Sequence, residues 1–271
     1  GVDLLMGEGR FTDTKSVEVL MNDGSTRHLT AEKIFINVGQ RPRRPDLTDL
    51  DDVPSLNSTS IMELDEVPEH LLVLGGGYVG VEFAQMFRRF GSDVTIVQRG
   101  GQVLSHEDAD IADEVIEVLR EDGIEVLLDT DAERVEQDND GTIRLHVRSP
   151  EGERTLGGSH FLVAVGRTPN TDRLNPEAAG IEMGRHGVIK VNDRLETNVP
   201  GIYALGDVKG GPAFTHVAYD DFRIIRTNVL EGGNASTADR FLTYTVFIDP
   251  QLGRVGLTEE MARQRGYDVR V

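Results

Sequence analysis

The run LLVLGGGYVGVEFAQMFRRFGSDVTIVQRG, residues 71 to 100, constrains the fold more than any other stretch. Four apolar residues at 71 to 74 read as a strand and Gly75 to Gly77 as a tight turn. Residues 78 to 90 read as a helix stopped by Gly91, and 93 to 97 as a second strand. That is one β-α-β unit, which requires a parallel sheet covered by helices. Gly75, Gly77 and Gly80 have the spacing G-x-G-x-x-G. The first glycine makes the turn, the second lets backbone approach a pyrophosphate, and the third lets helix and strand pack closely. The helix N-terminus then offers free N–H groups to the phosphates. With 30 glycines in 271 residues the spacing alone says little. The strand before it and the amphipathic helix after it carry the dinucleotide reading, against a merely structural glycine turn.

The second strand ends in Gln98 and Arg99, where a carboxylate commonly binds both ribose hydroxyls of NAD. A carboxylate would repel a 2′-phosphate, so its absence beside an arginine favours NADP(H). A surface Arg99 with Gln98 bonding the ribose is the other reading.

The first forty residues alternate like strands: SVEVLM, an NDGS turn at Asn22 to Ser25, then IFINVG from Ile34 to Gly39, which predicts a hairpin region. Pro42, Pro45 and Pro54 make the following stretch a crossover. Residues 108 to 120 place Ile111, Val115, Val118 and Leu119 on one helical face, with Gly123 beyond the end. AERVEQ, TIRLHV, ERTL and HFLVAVG predict an antiparallel meander ending at Gly166. IFINVGQRP (34 to 42) and FLVAVGRTP (161 to 169) form a weak repeat, each an apolar strand, Val-Gly, two residues and Pro.

Composition narrows the function. The length suits one large or two ordinary domains, and 38% hydrophobic residues suffice for a core. Without a long apolar run or a signal-peptide succession, a soluble cytoplasmic protein is expected. A net charge of −19 opposes nucleic acid and anionic membrane as partners. With no cysteine, these residues supply no disulfide, thiolate nucleophile or Cys-type zinc site. The seven histidines lack metal-ligand spacing, and no metal is expected.

TNVPGIYALGDVKGG, Thr197 to Gly211, resembles the second flavin-binding motif of the pyridine nucleotide-disulfide oxidoreductases. The two Val-Gly-x-x-Pro strands resemble that family's paired linkers, and GGGYVGVEFA its nicotinamide fingerprint. FTHVAYDDFRIIRTNVLEG and TVFIDPQLGRVGLTEEMARQRG look most like its mercuric-reductase-like and reactive-chlorine-responsive branch. The resemblance implies an α/β fold: a Rossmann-like, three-layer nicotinamide-binding domain inserted in a partial FAD-binding domain, with the first elements of an α+β dimerisation domain. Residues 1 to 57 and 177 to 238 would belong to the FAD domain, 58 to 176 to the NAD(P) domain, and 239 to 271 to one strand and helix of the dimerisation domain. It also implies a piece of a longer homodimeric enzyme, whose FAD-binding glycine motif and redox cysteine pair would precede Gly1.

The implied cofactors are FAD and NADP or NAD. Hydride would pass from NAD(P)H to FAD, then to a disulfide and to an oxidised small molecule, such as hypothiocyanous acid or a metal ion. By resemblance Asp207 accepts a hydrogen bond from a ribityl hydroxyl, with Ala204 and Gly206 keeping the flavin's path open. Tyr78 covers the flavin until the nicotinamide arrives, or simply packs. Glu82 pairs with a lysine of the FAD domain, or is a solvated helix residue. Gly166 lets backbone approach the nicotinamide side and Arg167 reaches a pyrophosphate; Arg41 either does likewise or is a surface charge. Val79, Val165, Gly39, Phe214 and Thr215 complete the cofactor-binding set. No catalytic residue is assignable. A cysteine-independent NAD(P)H oxidase or ferredoxin-reductase-like flavoenzyme, and a nucleotide-binding fragment without turnover, remain alternatives.

Overall fold

Residues 71 to 74 are buried without alternation, as a strand covered on both faces must be. In the computed structural model, which describes every residue except Asp239, this strand is the centre of a parallel sheet. Elements are numbered along the chain, which divides into two units: Gly1–Arg41 with Arg167–Phe241, and Pro42–Gly166 with Leu242–Val271.

The first unit opens with the antiparallel strands β1 (Gly7–Asp13), β2 (Ser16–Met21) and β3 (Thr26–Thr30). The hairpin expected at the NDGS turn is present, but its second strand is β3, and β4 (Ile34–Ile36) does not join this sheet. The NDGS turn connects β2 to β3, and Ile34 of β4 is in parallel register with Ile202. The reason is that β3, TRHLT, is exposed throughout and has no apolar pattern, whereas β4 has a buried partner to reach. β5 (Gln40–Pro42) follows and will pair with β13.

The second unit holds β6 (His70–Leu74), α1 (Tyr78–Phe90), β7 (Asp93–Val97), α2 (Ala109–Glu121) and β8 (Glu125–Leu127). Gly91, at φ 112°, stops α1 in the left-handed conformation that glycine adopts without strain. Val81, Ala84 and Phe87 form the buried stripe of α1, and Ala112, Val115, Ile116 and Leu119 that of α2. β9 (Asp131–Gln137), β10 (Ile143–Ser149) and β11 (Gly152–Gly158) form an antiparallel sheet with Ile143, Leu145 and Val147 facing the core.

The fourth expected meander strand is instead β12 (His160–Val163), parallel to β6, giving the sheet order β12-β6-β7-β8. Phe161, Leu162 and Val163 are consecutive and all buried, so only a strand covered on both faces accommodates them.

The chain returns to the first unit through β13 (Arg167–Pro169), paired with β5, then β14 (Ile202–Ala204), paired with β4, and α3 (Thr215–Leu230). Its core gathers Phe11, Ile36, Ile189, Ile202 and Val208. Back in the second unit lie β15 (Thr243–Val246), β16 (Leu252–Val255) and α4 (Glu259–Gln264). The expected single strand here is a two-stranded hairpin, in which Val246 faces Leu252. Pro250 in the connecting stretch and Gly253 within β16 disguise the second strand.

Candidate functional site

In the second unit, the turn between β6 and α1 explains its glycines sterically. Gly75 has φ 109°, and a Cβ there would lie 2.6 Å from the Ala164 carbonyl oxygen. A Cβ on Gly80 would lie 1.9 Å from the Gly75 carbonyl oxygen, so the first turn of α1, with Val79, packs directly on the strand end. Gly77, the N-cap of α1, has open space where a Cβ would be, the cradle a pyrophosphate requires. No acidic residue occupies the first turn, so the helix N-terminus keeps its positive potential.

Gln98 is fully engaged. Its Oε1 accepts the Gly76 N–H at 2.9 Å and its Nε2 donates to the Gln102 carbonyl at 3.0 Å, clasping the glycine turn to the loop after β7. Arg99 is exposed and has no hydrogen-bond or ion-pair partner among the described residues.

Tyr78, the first residue of α1, donates to Glu107 Oε1 at 3.0 Å and lies 3.1 Å from the Tyr244 hydroxyl. Tyr244 also bonds Glu107, and Arg254 Nη1 donates to the Tyr244 hydroxyl at 2.9 Å. The Arg254 and Glu107 side chains are 8% and 4% exposed. Burial, then the Tyr244 hydroxyl, raises the pKa of Tyr78 far above an ordinary phenol, so its proton stays on. Glu82, one turn on, accepts the Phe247 N–H at 2.7 Å. Burial raises its pKa and that hydrogen bond partly opposes the rise. Val165 packs on the core, and Gly166, at φ 107°, accepts the Arg43 N–H.

In the first unit a cavity of about 300 Å³ is lined by Asn37, Gly39, Gly206, Asp207, Phe214 and Thr215, among others. Three separate stretches of the chain thus meet, and five of these six residues, all but Asn37, are expected cofactor contacts. Gly39 and Gly206 have φ 66° and 70°, and a Cβ on Gly206 would come within 2.9 Å of Asn37 Oδ1. The Asp207 carboxylate has no hydrogen-bond partner among the described residues, while its carbonyl accepts the Gln40 side chain at 2.8 Å. α3 begins at Thr215 with no side-chain cap and no acidic residue in its first turn, so its N-terminal N–H groups face a cavity suited to an electron-rich ligand.

The two linker arginines are differently placed. Arg41 forks onto Asp172 and reaches Asn170, whereas Arg167 is exposed and donates to the Gln40 carbonyl at 2.7 Å. Sequence reasoning missed Asn37, which lines the cavity, and Gln40, Glu107 and Asp221, polar residues whose partners lie far away along the chain.

A glycine turn at the end of a parallel strand, together with a cavity flanked by a strand end and a helix start, defines a Rossmann-like FAD/NAD-binding fold. The chain belongs to the pyridine nucleotide-disulphide oxidoreductase family, which matches residues 1–221. It is 40% identical over its whole length to the probable pyridine nucleotide-disulfide oxidoreductase RclA of Escherichia coli K12, spanning 60% of that protein. It is 37% identical to a mercuric reductase of Lysinibacillus sphaericus, with 99% of this chain matching 48% of the relative. The solved HOCl-induced flavoprotein disulfide reductase RclA of Escherichia coli superposes with a TM-score of 0.88 over 98% of this chain and 60% of that one. The chain thus spans about half to three fifths of these relatives. Members of the family use FAD and NAD(P)H. No helix among the described residues is long and apolar enough to cross a membrane.

Proposed function

We propose that the chain is the FAD- and NAD(P)H-binding core of a flavin-dependent disulfide oxidoreductase, with NADPH the favoured donor. The observation that carries the reading is the cavity of the first unit, where an unpartnered Asp207 carboxylate and the bare N-terminus of α3 line one space. The donor set fits FAD: Asp207 takes a ribityl hydroxyl proton in a hydrogen bond, and the α3 N–H groups favour an electron-rich ring edge. Positive-φ glycines at 39 and 206 leave the approach clear of Cβ atoms.

FAD, when bound, supplies two-electron exchange between NAD(P)H and a disulfide. The glycine turn of the second unit seats the donor's pyrophosphate, and Arg99 binds the 2′-phosphate. Gln98 keeps the turn in shape while presenting no negative charge. Tyr78 gates the nicotinamide, and its ring moves only by giving up its hydrogen bond to Glu107. Because the sequence contains no cysteine, the dithiol step uses cysteines from outside these residues. The terminal acceptor is an oxidised small molecule of the hypothiocyanous acid or metal-ion class, and the intact enzyme is a cytoplasmic homodimer.

The test is to supply FAD to the purified chain, record its bound flavin spectrum, and follow NADPH and NADH oxidation with an electron acceptor. A flavin-loaded protein that binds NADPH more tightly than NADH is expected. A colourless protein that still binds NADPH would favour the nucleotide-binding fragment; one that binds neither would overturn the reading.

A further inference from the structure

Asp221 lies on α3, seven positions into the helix, and its side chain is 0% exposed. Such a carboxylate is strongly unfavourable unless its oxygens are fully compensated. Here Oδ2 accepts the Gly206 N–H at 2.8 Å and lies 3.3 Å from Lys209 Nζ, while Oδ1 accepts from Arg240 Nη2 at 2.6 Å. Arg240 Nε in turn reaches Asp220 Oδ2 at 2.7 Å. The Lys209 and Arg240 side chains are themselves only 10% and 16% exposed, so Asp221 and its two cations are almost sealed from water, while Asp220, 38% exposed, lies at the edge of the group.

The cluster has a specific geometry. Gly206 and Lys209 are the two ends of one short 3-10 turn, and Asp207, inside that turn, lines the cavity. Asp221 therefore grips both ends of the turn that presents Asp207. It does so from the helix whose N-terminus lines the same cavity, so a single rigid element sets the spacing between the two polar walls. An apolar side chain at 221 would fill the same volume but leave the Gly206 N–H buried without a partner.

We infer that Asp221, with Lys209 and Arg240 as its counter-ions, is a positioning residue that holds the Gly206–Lys209 turn, and thereby Asp207, in register for the hydroxylated chain of a flavin. The flavin part rests on the function proposed above; the grip on the turn does not.

The test is D221N in the full chain, read in two ways. Asparagine keeps the size of aspartate but turns an NH2 either toward Gly206 N–H and Lys209 or toward Arg240, setting donor against donor in both orientations. Amide exchange of Gly206 and Asp207 in the cofactor-free protein should quicken by at least about tenfold, the scale of a lost hydrogen bond to a charged group. FAD affinity should fall by about tenfold or more, with far-UV circular dichroism unchanged. Unchanged Gly206 exchange overturns the inference, as does faster exchange with FAD affinity within about twofold of wild type. If the wild-type chain binds no FAD, the flavin reading fails, and the exchange measurement still decides whether Asp221 holds the turn. If D221N does not fold, R240Q replaces it. Faster Gly206 exchange and weaker FAD binding are expected for R240Q, and wild-type values in both would overturn the inference.

Discussion

Replacing Arg99 with alanine tests the donor preference at the residue that carries it. Arg99 is exposed at the end of β7 and engages no carboxylate among the described residues. Its guanidinium is therefore available to a ligand, and its removal breaks no contact of the fold. Unfolding free energy should stay within about 0.5 kcal/mol of wild type. A charge-assisted hydrogen bond contributes about 1.5–3 kcal/mol, and exposure to water reduces this, so the loss of NADPH binding should be about 1–2 kcal/mol, roughly 5- to 30-fold in Kd. NADH lacks the 2′-phosphate and should bind the variant as it binds wild type. Calorimetric titration with each nucleotide at low and high salt separates the contributions, because screening should shrink the NADPH advantage of wild type but not of Arg99→Ala. Equal losses for both nucleotides, or no loss for either, would refute the reasoning. Gln98→Glu supplies the complementary test: the carboxylate still accepts from Gly76 N–H but loses the Gln102 bond and repels a phosphate, so NADPH should lose ground to NADH.

Arg254→Met strands the Glu107 carboxylate in an almost dry site and should destabilise the chain by about 3–5 kcal/mol; Glu107→Gln in the same background should recover part of that in chemical denaturation. Gly80→Ala places a Cβ against the Gly75 carbonyl, and displacement of α1 should weaken nucleotide binding and lower stability by at least about 2 kcal/mol; wild-type stability would show that the turn yields easily. Glu82 has a pKa raised above its ordinary value of 4.5 by burial, so its protonated form is the one the fold favours. Its contribution is complete below that ordinary value and is lost as pH rises through the elevated one. Glu82→Gln keeps the acceptor for Phe247 N–H and should gain on wild type over that interval, and a pH-independent difference in denaturation midpoint would contradict the assignment.

The parallel sheet was legible at residues 71 to 97 because local signals agree there: an unbroken apolar run, glycines at fixed offsets, and a helical stripe ended by Gly91. The meander was legible only as far as β11. β12 was misplaced because an apolar run does not itself name its partner strand, and β3 was passed over because its five exposed residues have no pattern. By itself, then, the sequence determined the β-α-β unit, the glycine turn between its first strand and helix, and the family to which those motifs belong. Tertiary structure alone decided which polar groups meet: Gln98 with the glycine turn, Tyr78 with Glu107 and Tyr244, and Asp221 with Gly206, Lys209 and Arg240. The physical reason is that helix and strand periods report burial of local surface, whereas a buried charge is tolerated only by partners that the folded chain brings from elsewhere.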